Sequence, residues 1–246
     1  GNGGRVGDPA DYFQPVEKNI FSKPGTINIM LVIDADLPPG ILARALVTCT
    51  EAKTAALQEL MAGSIYSHGL ATGSGTDQTI VVANPNSSLV LLSAGKHSKL
   101  GELIGRAVIK AVKEALNLQT GLSPRMQHSI LRRLKRFGIN AETLWGEFAG
   151  NKGEEALKPR FLHCLSQIDH HPDLVTYTSL YVHLLDQFAW SLLSGAEVEK
   201  AGNELLALAA EKFGVAPVAS AGADLPHFLQ AWTKLTVEIL KHSCQS

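Results

Sequence analysis

The chain has 246 residues, 45% of them apolar and 18% charged, with a net charge of −1; these are globular values and exclude a disordered chain. No secretory signal and no apolar run long enough to span a bilayer is found in it, which predicts a soluble protein without a membrane partner. The three cysteines, Cys49, Cys164 and Cys244, are far apart and odd in number, so they predict neither a disulfide framework nor a metal knuckle, and a reducing, cytoplasmic setting.

In chain order, "GNGGRVGDPADY" is a turn-rich opening segment. Thr26–Asp34, "TINIMLVID", is a nearly continuous β-branched and apolar run, the pattern of a strand covered on both faces. Pro38-Pro39-Gly40 then opens a helix from about Ile41 to Met61. A loop rich in glycines and hydroxyls, "HGLATGSGTDQ", leads into a second strand at Thr79–Ala83. After Gly95 the stripe Leu100, Leu103/Ile104, Ala107/Val108, Ala111/Val112 and Leu116 has helical spacing and predicts a helix from about Ser98 to Leu118. Gly101 and Gly105, on adjacent turns, suggest close approach by a neighbour.

Strand, helix, strand, helix is the α/β order, yet two strands are too few for a sheet that stands alone. The remainder reads as all-α. Helices are expected from Ser123-Pro124 to Gly138, from Pro172-Asp173 onward, from Glu197 to Phe213 and from Asp224 to about Lys241. In the second of these Leu174, Tyr177, Tyr181, Leu184, Phe188 and Leu192 are taken as one apolar face. The expected organisation is therefore a mixed α/β region over 1–120 and a helical region over 121–246.

Charge is uneven. Lys96 to Arg136 holds ten basic and two acidic residues, and the stretch after Arg136 seven basic against thirteen acidic. The basic run "RMQHSILRRLKRFG" lacks the interleaved aromatics of a nucleic-acid module, so it reads as a solvated face or a docking surface for the acidic helices that follow. No nucleic-acid partner is expected. His170-His171 and the scattered histidines have no ligand spacing, and no metal is expected.

The first helix carries polar groups nearly all round two turns, at Thr48, Thr50, Glu51, Lys53 and Thr54. Either this is a polar seam against other secondary structure, or the helix borders a site in which burial tunes Glu51 and Lys53. The glycine loop is no phosphate loop, because no Lys-Ser/Thr follows its glycines and it precedes a strand.

Four strings stand in order: "GTINIMLVIDADL", "TEAKTAALQEL", "ATGSGTDQTIVVAN" and "GKHSKLGELIGRAV", preceded by "GNGGRVGDP". Together they resemble the adenosylcobinamide amidohydrolases, the CbiZ type of corrinoid salvage enzyme, over roughly residues 1 to 120. The resemblance implies hydrolysis of the aminopropanol amide of adenosylcobinamide to adenosylcobyric acid, with the corrinoid as substrate and no further cofactor. A non-catalytic corrinoid-binding or regulatory protein on the same fold is the alternative. Ser74 stands where that family more often has threonine. The family also usually has a strand-rich segment before the opening turn, so association with such a segment, or a homo-oligomer, is expected.

Within the matching strings Glu51 and Asp77 are the candidate bases, Lys53 a stabiliser of negative charge, and Thr54 a candidate hydroxyl nucleophile along with Thr50, Thr72 and Thr76. Glu51 and Lys53 are two apart on a helix and do not face each other. Thr72, Gly73, Ser74, Gly75 and Thr76 are expected to hold an oxyanion or the amide-rich corrin rim, or to form a turn capped by Asp77. His68 and His97 are candidates for substrate contact and for a role as acid, base or metal ligand.

Overall fold

The computed structural model describes residues 3–9, 25–150 and 155–245; Gly1, Asn2 and residues 10–12 of the opening segment lie outside them. The chain divides into two compact units, Gly1–Gln127 and His128–Ser246.

In the first unit β1 (Gly3–Gly4), β2 (Asn28–Ile33), α1 (Pro39–Glu59), β3 (Gly73–Ser74), β4 (Gln78–Ala83), α2 (Lys99–Thr120) and α3 (Pro124–Gln127) follow in order. β2 and β4 pair in parallel, Asn28 opposite Gln78 through to Ile33 opposite Ala83, while β1 and β3 form a small antiparallel pair. A parallel pair needs a crossover, and α1 supplies it. The expected α/β order holds.

Beneath the β2–β4 pair, Ile33, Ala35 and Leu37 meet Ala45, Cys49, Ala52 and Ala56 of α1 and Ile104, Val108 and Val112 of α2. Alanines along α1 let the two helices approach closely. Gly101 of α2 does the same for the preceding loop, because a Cβ there would collide with the Gly95 carbonyl. Gly105 is different. A Cβ on it would meet nothing within 4 Å, so only one of the two expected close approaches is present.

The expectation of a strand covered on both faces is not met. Met30 and Val32 are 75% and 73% exposed, and Ile80 and Val82 of β4 are exposed beside them. Both helices lie on one side, so side chains that alternate along each strand divide into a packed set and an uncovered set. An apolar groove of about 510 Å³ runs between β2 and α2, lined by Thr26 to Leu31 on one wall and by Ala107, Ala111 and Ala115 on the other.

The described residues of the second unit are helical: α4 (Ile130–Leu134), α5 (Ala141–Ala149), α6 (Lys158–Ile168), α7 (Pro172–Ala189), α8 (Gly195–Phe213) and α9 (Leu225–Gln245). The single helix expected from Ser123 to Gly138 is broken. Ser129 caps α4 by accepting from the Arg132 amide, and Asp169 draws in the Ser129 hydroxyl and the Leu131 amide. α5 and α6 were not anticipated, although Asn140 forms a capping box with Thr143 that starts α5.

The face of α7 is rotated from the expected one: Leu174, Thr178, Tyr181, Val182, Leu185 and Asp186 are buried, and Leu192 is 64% exposed beyond the helix end. The basic run is not simply solvated, since Arg136 makes a buried bidentate pair with Asp186, both oxygens at 2.6 Å. Cys164 and Cys244, 80 residues apart in sequence, are joined as a disulfide between α6 and α9. That corrects the expectation of no disulfide framework, because sequence separation is no measure of distance once α6 and α9 pack together. Cys49 is free and buried. No described helix is long and apolar enough to cross a membrane.

Candidate functional site

The polar belt of α1 serves two different loops. Toward the segment before α2, the Thr48 hydroxyl donates to the Ala94 carbonyl at 2.8 Å and Glu51 accepts from Lys96 at 3.1 Å. Toward the glycine loop, Lys53 donates to Asp77, and the Thr54 hydroxyl donates to the Thr72 carbonyl at 3.1 Å. Residues two apart on a helix diverge, as the sequence requires. Glu51 and Lys53 accordingly face different loops.

Asp77 is the centre of the glycine loop. Its Oδ2 accepts from the Lys53 ammonium and from the Ser74 amide at 2.9 Å. Its Oδ1 accepts from the Ser74 hydroxyl at 2.6 Å and the Ile27 amide at 2.9 Å. Burial pushes the Asp77 carboxyl up, but these four hydrogen bonds outweigh it and hold the group below the usual carboxylate range. Gly73 permits the arrangement, since a Cβ there would run into Asp77 Oδ2 and come within 2.9 Å of Lys53 Nζ. Thr26 ties the other side of the loop, its hydroxyl donating to the Thr76 carbonyl at 2.5 Å. Gly75 and Thr76 stand exposed at the tip.

A second polar cluster adjoins the first. Thr72 accepts from the Val6 amide through its hydroxyl at 2.9 Å, and its own amide donates to the Gly4 carbonyl at 2.9 Å. This places the segment Gly3–Asp8 against the loop Gly63–Gly73. There Asp8 Oδ2 accepts from the Ser64 and Ser67 hydroxyls, each at 2.7 Å, and Arg5 lies 3.9 Å from Oδ1. For Asp8 too burial pushes the carboxyl up, and the two serines with Arg5 hold it down. His68, exposed, sits within this loop between Ser67 and Gly69.

Of the residues singled out from sequence, Lys53, Thr54, Thr72, Gly73, Ser74 and Asp77 are thus brought into one connected network, with Gly75 and Thr76 at its tip. His68 lies on the loop of the second cluster. Glu51 does not. It stands with Lys96, beside the exposed His97, on the other loop. Sequence reasoning missed Arg5, Asp8, Ser64 and Ser67. In the sequence "GRVGDP" stands out only as part of a longer string, and the serines carry no pattern of their own.

The chemistry this frame allows is oxygen-rich recognition next to a fixed ion pair, on loops that carry glycines wherever backbone must come close. Residues 1–124 match the CbiZ family, adenosylcobinamide amidohydrolase. The chain belongs to that family. Both polar clusters lie inside the matched span, so the CbiZ family region and the first compact unit nearly coincide. The chain is also 43% identical over 123 residues to an uncharacterized protein of Methanocaldococcus jannaschii, a match covering 46% of this chain and 48% of that one. It spans about half the length of that relative. No solved structure matches.

Proposed function

We propose that the chain hydrolyses the aminopropanol amide of adenosylcobinamide to give adenosylcobyric acid, a carbon–nitrogen hydrolase of corrinoid salvage. The observation that carries this is the family match over 1–124, whose span holds the loop built around the buried Lys53–Asp77 pair.

Amide hydrolysis needs a base for the attacking water, donors for the tetrahedral oxyanion and a proton for the departing amine. With four donors on its two oxygens, Asp77 stays ionised and holds the loop; it is a positioning residue. Lys53 spends its charge on Asp77 and fixes α1 to Gly73. Glu51 has one oxygen on Lys96 and is 43% exposed, so it retains acceptor capacity on the Lys96 side of α1. This makes Glu51 the carboxylate we assign as base. We assign Gly75, Thr76 and the Thr72 side to the corrin rim, whose amides want hydrogen bonds, and His68 to protonation of the amine. His97 is assigned a substrate contact on the Glu51 side.

The deciding experiment incubates the purified chain with adenosylcobinamide and measures released aminopropanol together with the new carboxylate on the corrinoid. Stoichiometric release supports the reading, with Glu51→Ala lowering turnover by roughly a hundredfold or more, as loss of a general base does. Tight binding without release would instead mark a corrinoid-binding protein.

A further inference from the structure

We infer that Arg5 receives the acyl oxygen of the scissile amide, the atom that becomes the carboxylate of the product; this rests on the hydrolase reading above. Lys53, the cation expected from sequence to stabilise negative charge, is committed to a buried carboxylate. Arg5 is not. Its side chain is 44% exposed, and among the described residues its one ion contact is to Asp8 at 3.9 Å, beyond hydrogen-bond reach. Asp8 in turn is occupied by Ser64 and Ser67. The guanidinium therefore keeps its planar fork of donors for an acceptor from outside.

Its position is defined. A Cβ on Gly69 would come within 2.6 Å of Arg5 Cδ and 3.4 Å of Nε, so the arginine stem lies across the glycine of that loop. Backbone continuity ties it to the first cluster, because Gly3 and Gly4 pair with Ser74 and Gly73. Around it Val6, Ile65 and Tyr66 are 80%, 57% and 42% exposed, and the Tyr66 ring lies against Gly4. A cation with unspent donors inside an exposed apolar rim suits a large ligand that is mostly apolar and carries one oxygen on which charge develops. The peripheral amides of a corrin stay neutral throughout, whereas the scissile acyl oxygen becomes anionic. Hydrogen bonds between an ionised donor and an anionic acceptor are the stronger ones.

The test titrates wild type, Arg5→Ala and Arg5→Lys with adenosylcobinamide and with adenosylcobyric acid at low salt, alongside turnover. Arg5→Ala is expected to weaken adenosylcobyric acid by roughly ten- to a hundredfold and adenosylcobinamide by no more than about threefold. It should lower kcat with little change in KM, and added guanidinium ion should restore part of the lost turnover. Arg5→Lys keeps the charge without the fork and should fall between; it carries the test if the alanine variant loses its far-ultraviolet dichroism. Equal weakening of both corrinoids would put Arg5 at the corrin periphery and overturn the inference, as would unchanged affinity and turnover. If wild type releases no aminopropanol the hydrolase reading fails separately, and product affinity still decides the role of Arg5.

Discussion

Lys53 and Asp77 join the middle of α1 to the turn that carries the glycines, each side chain only 10% exposed. Removing one partner leaves a buried charge behind, which is where most of the cost of breaking such a pair arises. Lys53→Met and Asp77→Asn are each expected to destabilise the first unit by about 3–5 kcal/mol. The double variant should lose markedly less than the sum, because neither orphaned charge remains. All three tryptophans, Trp145, Trp190 and Trp232, lie in the second unit, so their fluorescence is blind to this change. Hydrogen exchange of α1 and β4 amides in urea is the appropriate readout.

The same pair sets a dependence on pH. Asp77 titrates below its unfolded value because hydrogen bonds outweigh burial, so its contribution is fully present above the unfolded pKa of about 3.9 and is lost as pH falls through the folded one. Asp8 acts with the same sign. The stability gap between wild type and Asp77→Asn should therefore hold constant from about pH 7 to pH 5 and narrow below about pH 4. A gap independent of pH down to full acid unfolding would mean that Asp77 works by shape and not by charge.

Much of this unit was legible because periodicity and punctuation report on backbone: β2, α1, β4 and α2 follow from apolar spacing and from Pro38-Pro39 and Gly95. The crowding of polar residues on α1 also said that something met them. What the sequence did not reveal was the partition. Thr48 and Glu51 go to one loop while Lys53 and Thr54 go to another, and only the two loops' positions decide that. Arg5 and Asp8 escaped for the same reason: Ser64 and Ser67, which donate to Asp8, and Gly69, which the Arg5 stem crosses, lie more than fifty residues away in sequence, and a serine in a loop has no periodicity. In α7 the error was of phase, since Thr178 and Asp186 are buried polar residues that apolar counting places outside. Asp186 is buried because Arg136 pairs with it.

Two glycines of α2 provide a matched comparison. A methyl on Gly101 would be driven into the Gly95 carbonyl, which is backbone and cannot swing away. Gly101→Ala should therefore separate α2 from the loop bearing Lys96 and cost about 1–3 kcal/mol, as overpacking does. Gly105 faces open space, and alanine there should stabilise by about 0.5–1 kcal/mol through lost freedom of the unfolded chain. Measuring both by hydrogen exchange removes composition as an explanation, for the substitution is identical and only the neighbour differs.

The disulfide yields a prediction confined to the second unit. Cys164 and Cys244 join α6 to α9 across 80 residues, a span that includes α7 and α8. Cross-linking a loop of that length restricts the unfolded chain by as much as about 4–5 kcal/mol in the loop-entropy account. Reduction, or the Cys164→Ser/Cys244→Ser pair, should lower the urea midpoint followed by tryptophan fluorescence. The exchange of α1 and β4 amides should not change, because Cys49, the cysteine of the first unit, is free and buried. Its thiol is pushed up by burial against the opposing influence of Lys53 and Thr79, so it should also resist alkylation until that unit unfolds. If reduction moved both transitions together, the two compact units would not be unfolding independently, and the assignment of the cross-link's effect to α6–α9 alone would fail.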